Sequence, residues 1–248
     1  MPSVVLGRDI GTGQEVRIGD IERRSSLYIL GKPGMGKSAL MINMMIGDSA
    51  NGHGLFLLDP HGDAISDLVK RIAEKRLNFT LLFDPRDETH SFGINLLSCK
   101  NINSLTQRED TYTRAYNVFY KIWEEYWGVW LQLILQNTLR AFIENQEFTL
   151  AEVPMFLEPR NREFREYILS NIKHYPAVVD FWRYEFFERR ERDQQERVDA
   201  ALTRINTLLT NPYISHIVGQ QQTTINFESV LRPRSRDRPL GLHEPPEK

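Results

Sequence analysis

Residues 27–38 read Leu-Tyr-Ile-Leu-Gly-Lys-Pro-Gly-Met-Gly-Lys-Ser, and the last eight of them fit G-x-x-x-x-G-K-[ST]. Each position in that pattern has a task. Glycines let backbone N–H groups turn inward around phosphate oxygens. The helix expected to start near Ser38 points the positive end of its dipole at the same phosphates. Lys37 is placed to reach the β- and γ-phosphates, and the Ser38 hydroxyl to ligate Mg²⁺. The motif therefore predicts a nucleotide site for ATP and Mg²⁺. Its binding positions are Gly31, Pro33, Gly34, Met35, Gly36, Lys37, Ser38 and Ala39, with Ser38 the metal ligand and Lys37 catalytic.

Outward from the loop, residues 1–100 read as alternating strands and helices. Val4–Leu6 and Val16–Ile18 are β-like runs expected to pair as a hairpin across Gly11-Thr12-Gly13. Leu27–Leu30, Leu55–Leu58 and Phe79–Phe83 are short, uniformly apolar runs. Helical composition or spacing fills 38–48 and 63–75, where Ile65, Leu68, Val69 and Ile72 recur on one face. Apolar strands separated by helices predict a parallel sheet covered on both faces. From Leu105 to Leu209 glycine falls to Gly128 alone and the helical period takes over. Tyr112, Tyr116, Phe119, Tyr120, Trp123, Trp127 and Trp130 form an aromatic stripe. Further helices are expected at 162–172, 177–187 and 193–210. The fold class predicted is α/β, an incomplete P-loop parallel sheet (residues 1–100) with an inserted all-α subdomain (101–220). A returning core segment and a disordered tail follow (221–248). The run Thr223–Val230 looks like the approach to a further strand. From Leu231 the chain is rich in proline and arginine, which suits a tail.

Composition bounds the classes. The chain has 248 residues, 41% hydrophobic and 26% charged, with a formal net charge of −2. Such a balance exerts no bulk attraction on nucleic acid or anionic membrane, so DNA binding is expected to be weak or confined to an assembled form. A single cysteine, Cys99, cannot form an internal disulfide, which points to a reducing, cytoplasmic setting. The longest uncharged stretch, 126–139, is interrupted by Gln132, Gln136 and Asn137. It falls short of the roughly 20 apolar residues a bilayer requires, and no membrane segment is expected.

Asp59-Pro60-His61-Gly62-Asp63 follows the second apolar run, where the ends of parallel strands line a ligand crevice. Two readings stay open. Asp59 or Asp63 orients the magnesium shell or a water, with His61 on phosphate; or this is a polar turn with Asp63 capping a helix. Asp84-Pro85-Arg86-Asp87 reads as a simple turn. Asp59, Asp84 and Asp180 are the candidates for the second acid that hydrolysis requires; none precedes a glutamate, and Asp180 sits in helical sequence. The aromatic stripe is spaced for core packing, with base stacking the competing reading. Residues 183–197 alternate acids with arginines, as a solvated helix face does. Arg204 either pairs with a carboxylate or faces a neighbouring subunit's nucleotide.

The order LYILGKPGMGKS (27–38), GLFLLDPHGD (54–63), TLLFDPRD (80–87), YWGVWLQLILQNTLRAFIE (126–144) and VVDFWRYE (178–185) resembles the HerA/FtsK-like DNA-pumping ATPases. It is closest to the soluble cores of conjugative coupling proteins of the TraD/TraG type from type IV secretion, over about residues 4–230. The resemblance implies a RecA-like sheet, ATP hydrolysis coupled to DNA movement, and a homo-oligomeric ring, typically a hexamer. It implies phosphate-loop roles for Gly34, Gly36, Lys37 and Ser38, and gives a loose place to Asp59, His61 and Arg204. The coupling proteins often begin with transmembrane helices, which this sequence does not show. The family's Walker B strand follows the helical insert, so the resemblance implies an ATPase cut short before its catalytic acid. The competing expectation is a non-catalytic nucleotide-binding module acting through a partner.

Overall fold

The computed structural model describes residues 3–87 and 92–225. The proline-rich run from Leu231 and most of Thr223–Val230 lie outside the described residues. Two compact units divide at Leu82/Phe83.

The first unit opens with strands β1 (Ser3–Arg8) and β2 (Glu15–Gly19), paired antiparallel from Ser3↔Gly19 to Arg8↔Glu15. The register slips between Val5 and Gly7, so Leu6 is the extra residue of a bulge. Asp9 organises the turn: its carboxylate accepts from the Thr12 N–H at 2.7 Å and the Thr12 hydroxyl at 2.8 Å. Four helices follow: α1 (Asp20–Arg23), α2 (Lys37–Ala50), α3 (Asp63–Arg71) and α4 (Glu74–Leu77). Among this unit's described residues, Val4, Ile42, Met44 and Leu68 are the buried apolar side chains.

The three apolar runs depart from expectation. Among the described residues the only sheet is the β1–β2 pair, and Leu27–Leu30, Leu55–Leu58 and Phe79–Phe83 are irregular. Their side chains face water: Tyr28 is 83% exposed, Leu30 76%, Phe56 60% and Leu58 80%. A strand needs a neighbour to satisfy its N–H and C=O groups. Apolar composition alone does not supply one, and the parallel ladder is not formed here.

The second unit is helical. It contains α5 (Leu105–Trp123), α6 (Val129–Ile143), α7 (Val153–Leu157), α8 (Arg162–Ser170), α9 (Pro176–Asp180), α10 (Glu191–Leu209) and α11 (Pro212–Val218). Local chemistry marks the boundaries. Ser104 caps α5 by accepting from the Gln107 N–H, and Asn211 caps α11 by accepting from the Tyr213 and Ile214 N–H groups. Thr149 and Glu152 make a reciprocal capping box ahead of α7. The run expected as one helix over 177–187 is α9 followed by a π-helical turn, Phe181–Phe186. Its wider winding brings residues five apart together: the Phe181 and Phe186 rings lie 6.1 Å apart, and both are buried with Trp182.

The core joins Phe119 of α5, Phe142 of α6, Phe156 of α7 and Trp182, each fully buried. Phe156 meets Trp182 edge-on at 4.9 Å. The aromatic stripe divides along its length. Tyr112 and Phe119 are buried, Tyr116, Trp123 and Trp127 pack against the core, and Trp130 stays 39% exposed. The two ends of the unit meet. Ile94 N–H donates to the Ile217 carbonyl at 3.0 Å, Thr224 N–H to the Gly93 carbonyl at 3.0 Å, and Asn95 N–H to the Thr223 hydroxyl at 2.9 Å. Gly93 is required there, because a Cβ would lie 2.3 Å from the Gln222 carbonyl oxygen.

Candidate nucleotide site

The candidate site is built by the turn that starts α2. Gly34 (φ 78°) and Gly36 (φ 81°) adopt the left-handed backbone that a side chain disfavours. Nothing lies within 4 Å of a Cβ placed on either, so backbone conformation and not space demands glycine. Gly36 is the residue before the helix; no side chain caps the helix start, and its first turn holds no acid. Leu40 N–H is the first to find a helical carbonyl, on Gly36. The N–H groups of Lys37, Ser38 and Ala39 precede it, at the positive end of a 14-residue helix. The Lys37 ammonium folds over the loop and donates to the Gly31 carbonyl at 2.9 Å and the Lys32 carbonyl at 3.0 Å. Gly31 faces the Lys37 stem, which would lie 3.5 Å from a Cβ. Pro33, Met35, Ser38 and Ala39 are exposed at the same turn, Met35 by 73%. The loop offers N–H donors and a cation with no competing acid, which fits a phosphate group.

Asp59 sits at the start of α3. Its carboxylate accepts from the N–H groups of His61 at 3.1 Å, Ala64 at 2.8 Å and Ile65 at 3.2 Å. Partial burial pushes its pKa up, and the backbone N–H bonds outweigh that and hold it below the usual carboxylate value. Asp59 thus performs the capping expected of Asp63, which is instead the first helical residue after Gly62. His61 is exposed. Asp84 closes its own turn by pairing with the Arg86 guanidinium at 2.9 Å, which holds its carboxyl below the usual range. Asp180 ends α9. The Arg204 guanidinium donates to the carbonyls of Ala200 at 2.9 Å and Tyr126 at 3.3 Å within its own unit. Cys99 is buried.

One cluster escaped the sequence reading: Asp20, Arg23, Asp48 and His53. Arg23 grips Asp48 with two bonds of 2.6 and 2.5 Å, and His53 Nε2 lies 3.4 Å from Asp20 Oδ2. No motif spacing announces residues 20, 48 and 53. They meet because α2 returns the chain to the base of the hairpin.

A left-handed glycine turn feeding an uncapped helix, with a lysine folded across it, is the geometry that the sequence motif predicted. The sequence model described as "Helicase HerA, central domain" matches residues 7–231. The chain belongs to this family, the HerA/FtsK-like P-loop ATPases. No curated protein and no solved structure matches it. Among the described residues, no helix is long and apolar enough to cross a membrane.

Proposed function

We propose that the chain binds ATP with Mg²⁺ at Gly31, Pro33–Ala39 and acts as the nucleotide-binding part of an oligomeric, DNA-translocating ATPase. The observation that carries this is the turn at Gly34 and Gly36, which leaves the start of α2 without a side-chain cap and places Lys37 over the loop. In this reading the N–H groups of Lys37, Ser38 and Ala39 hold phosphate oxygens. Lys37 exchanges its two carbonyl partners for the β- and γ-phosphates, and Ser38 offers its hydroxyl to the metal. Mg²⁺ held there by Ser38 would supply charge neutralisation for the phosphoryl group. Family membership supports DNA as the substrate and a ring as the assembly. The order of motifs supports a conjugative coupling role of the TraD/TraG type. In the working assembly Leu27–Leu30, Leu55–Leu58 and Phe79–Phe83 form strands of a parallel sheet, a proposal supported by the apolar side chains they now expose. The paired ends at 93–95 and 217–224 support an all-α insert in that core.

Removing the Lys37 ammonium tests the site. Titration with a fluorescent ATP analogue should show at least tenfold weaker binding for Lys37→Ala. Equal affinity for the two proteins would sink the assignment.

A second reading, a nucleotide-binding module without turnover, is favoured by Asp59, whose carboxylate is committed to three backbone N–H groups. Steady-state ATPase assays separate the two. Hydrolysis abolished by Asp59→Asn favours the catalytic role for Asp59, and binding without turnover favours the module.

A further inference from the structure

The cluster at the base of the hairpin holds a set of metal-ligating atoms that the nucleotide site does not use. Asp20 begins α1, Asp48 lies in the last turn of α2, and His53 follows in the next loop. One ligand atom from each, two carboxylate oxygens and an imidazole nitrogen, lies within 4.8 Å of the others. The backbone of His53 is held on both sides. Its N–H donates to the Asp48 carbonyl at 3.0 Å, and its carbonyl accepts from Arg76 at 3.1 Å.

His53 Nε2 is enclosed yet has no hydrogen-bond partner, although Asp20 Oδ2 is only 3.4 Å away. That separation suits a shared cation. Two ligands about 2.1 Å from a tetrahedral ion sit about 3.4 Å apart. The His53 side chain as a whole is 38% exposed, so the cluster lies near the surface of its unit. Asp48 is engaged by Arg23 through both oxygens. A carboxylate offers about four lone-pair sites, so the guanidinium leaves room for a metal bond and orients the ligand from behind.

We propose that Asp20, Asp48 and His53 bind one divalent transition-metal ion of the zinc class. One imidazole with two carboxylates suits that class better than Mg²⁺, which prefers oxygen ligands and retained water. The site is separate from the phosphate loop. Asp48 lies twelve residues along α2 from Gly36, about 18 Å at the helical rise. The ion would staple the far end of the phosphate-loop helix to the hairpin. The proposal does not depend on ATP binding.

The test uses the full chain stripped with EDTA, with zinc competed against a chromogenic chelator. The expected result is one zinc per chain. His53→Ala and Asp20→Asn should each weaken binding at least tenfold, with circular dichroism unchanged, while Lys37→Ala binds as wild type. On the wild-type chain, zinc should shield His53 from diethyl pyrocarbonate and leave His61 reactive. That readout stands even if a variant fails to fold. Wild-type affinity in folded His53→Ala or Asp20→Asn would overturn the proposal. So would equal His53 modification with and without zinc.

Discussion

At the scale of single residues, Asp59 shows how one carboxylate can look catalytic and act as a cap. It follows an apolar run, as a magnesium-orienting acid would, yet its oxygens take up N–H groups that the start of α3 leaves open. Its depressed pKa fixes the sign of a pH effect. The charged form is favoured in the folded state, so its contribution is complete above the unfolded value of about 3.9 and disappears as pH falls through the lower folded value. Urea denaturation of wild type and Asp59→Asn should therefore show a constant gap at neutral pH that closes below about pH 4. A gap that does not narrow at all as pH falls below about 4 would mean that the charge is not what caps α3.

At the scale of elements, the helical unit is held by interlocked aromatics. Phe156 comes from a five-residue helix, too short to persist alone, and is fully buried between Phe142 at 5.6 Å and Trp182 at 4.9 Å. Phe156→Ala would leave a cavity among large rings and should cost about 3–5 kcal/mol. Chemical denaturation should show a lower midpoint with little change in slope. A loss under about 1 kcal/mol would show that the neighbouring rings collapse into the space. Residue spacing had revealed most of these helices, because caps and the 3.6-residue period are local signals. Ser104, Asn211 and the Thr149/Glu152 pair lie within a few residues of the helix starts they cap, although the sequence analysis did not single them out. The π-helical turn at Phe181–Phe186 was not visible, since its extra residue is selected by the rings it must pack against.

At the scale of the molecule, the two units differ in how completely they bury their apolar content. Residues 83–225 enclose a core whose ends are tied by Ile94 and Ile217. Expressed alone, they should give a helical protein with one cooperative thermal transition; a broad, non-cooperative melt would show that the unit relies on the rest of the chain. The first unit leaves Tyr28, Leu30, Phe56 and Leu58 largely exposed. The full chain should bind a hydrophobic dye such as ANS far more strongly than residues 83–225 do. Equal dye binding would mean that those runs are covered in solution.

The glycine turn within residues 31–38 was readable from sequence because its conformational demands are local. Gly34 and Gly36 must reach positive φ and Lys37 must follow at once, so order along the chain already encodes the geometry. The hairpin was readable for the same reason, through two short β-like runs joined by a glycine-containing turn. The state of Leu27–Leu30, Leu55–Leu58 and Phe79–Phe83 was not, because a strand is defined by its hydrogen-bonded neighbour. Composition shows that a run could be buried in a sheet; it does not show whether the other strands are there. The meeting of Asp20, Asp48 and His53 was decided by tertiary structure alone. Those residues lie on three separate segments, and only the path of α2 back to the hairpin base brings their ligand atoms within 4.8 Å.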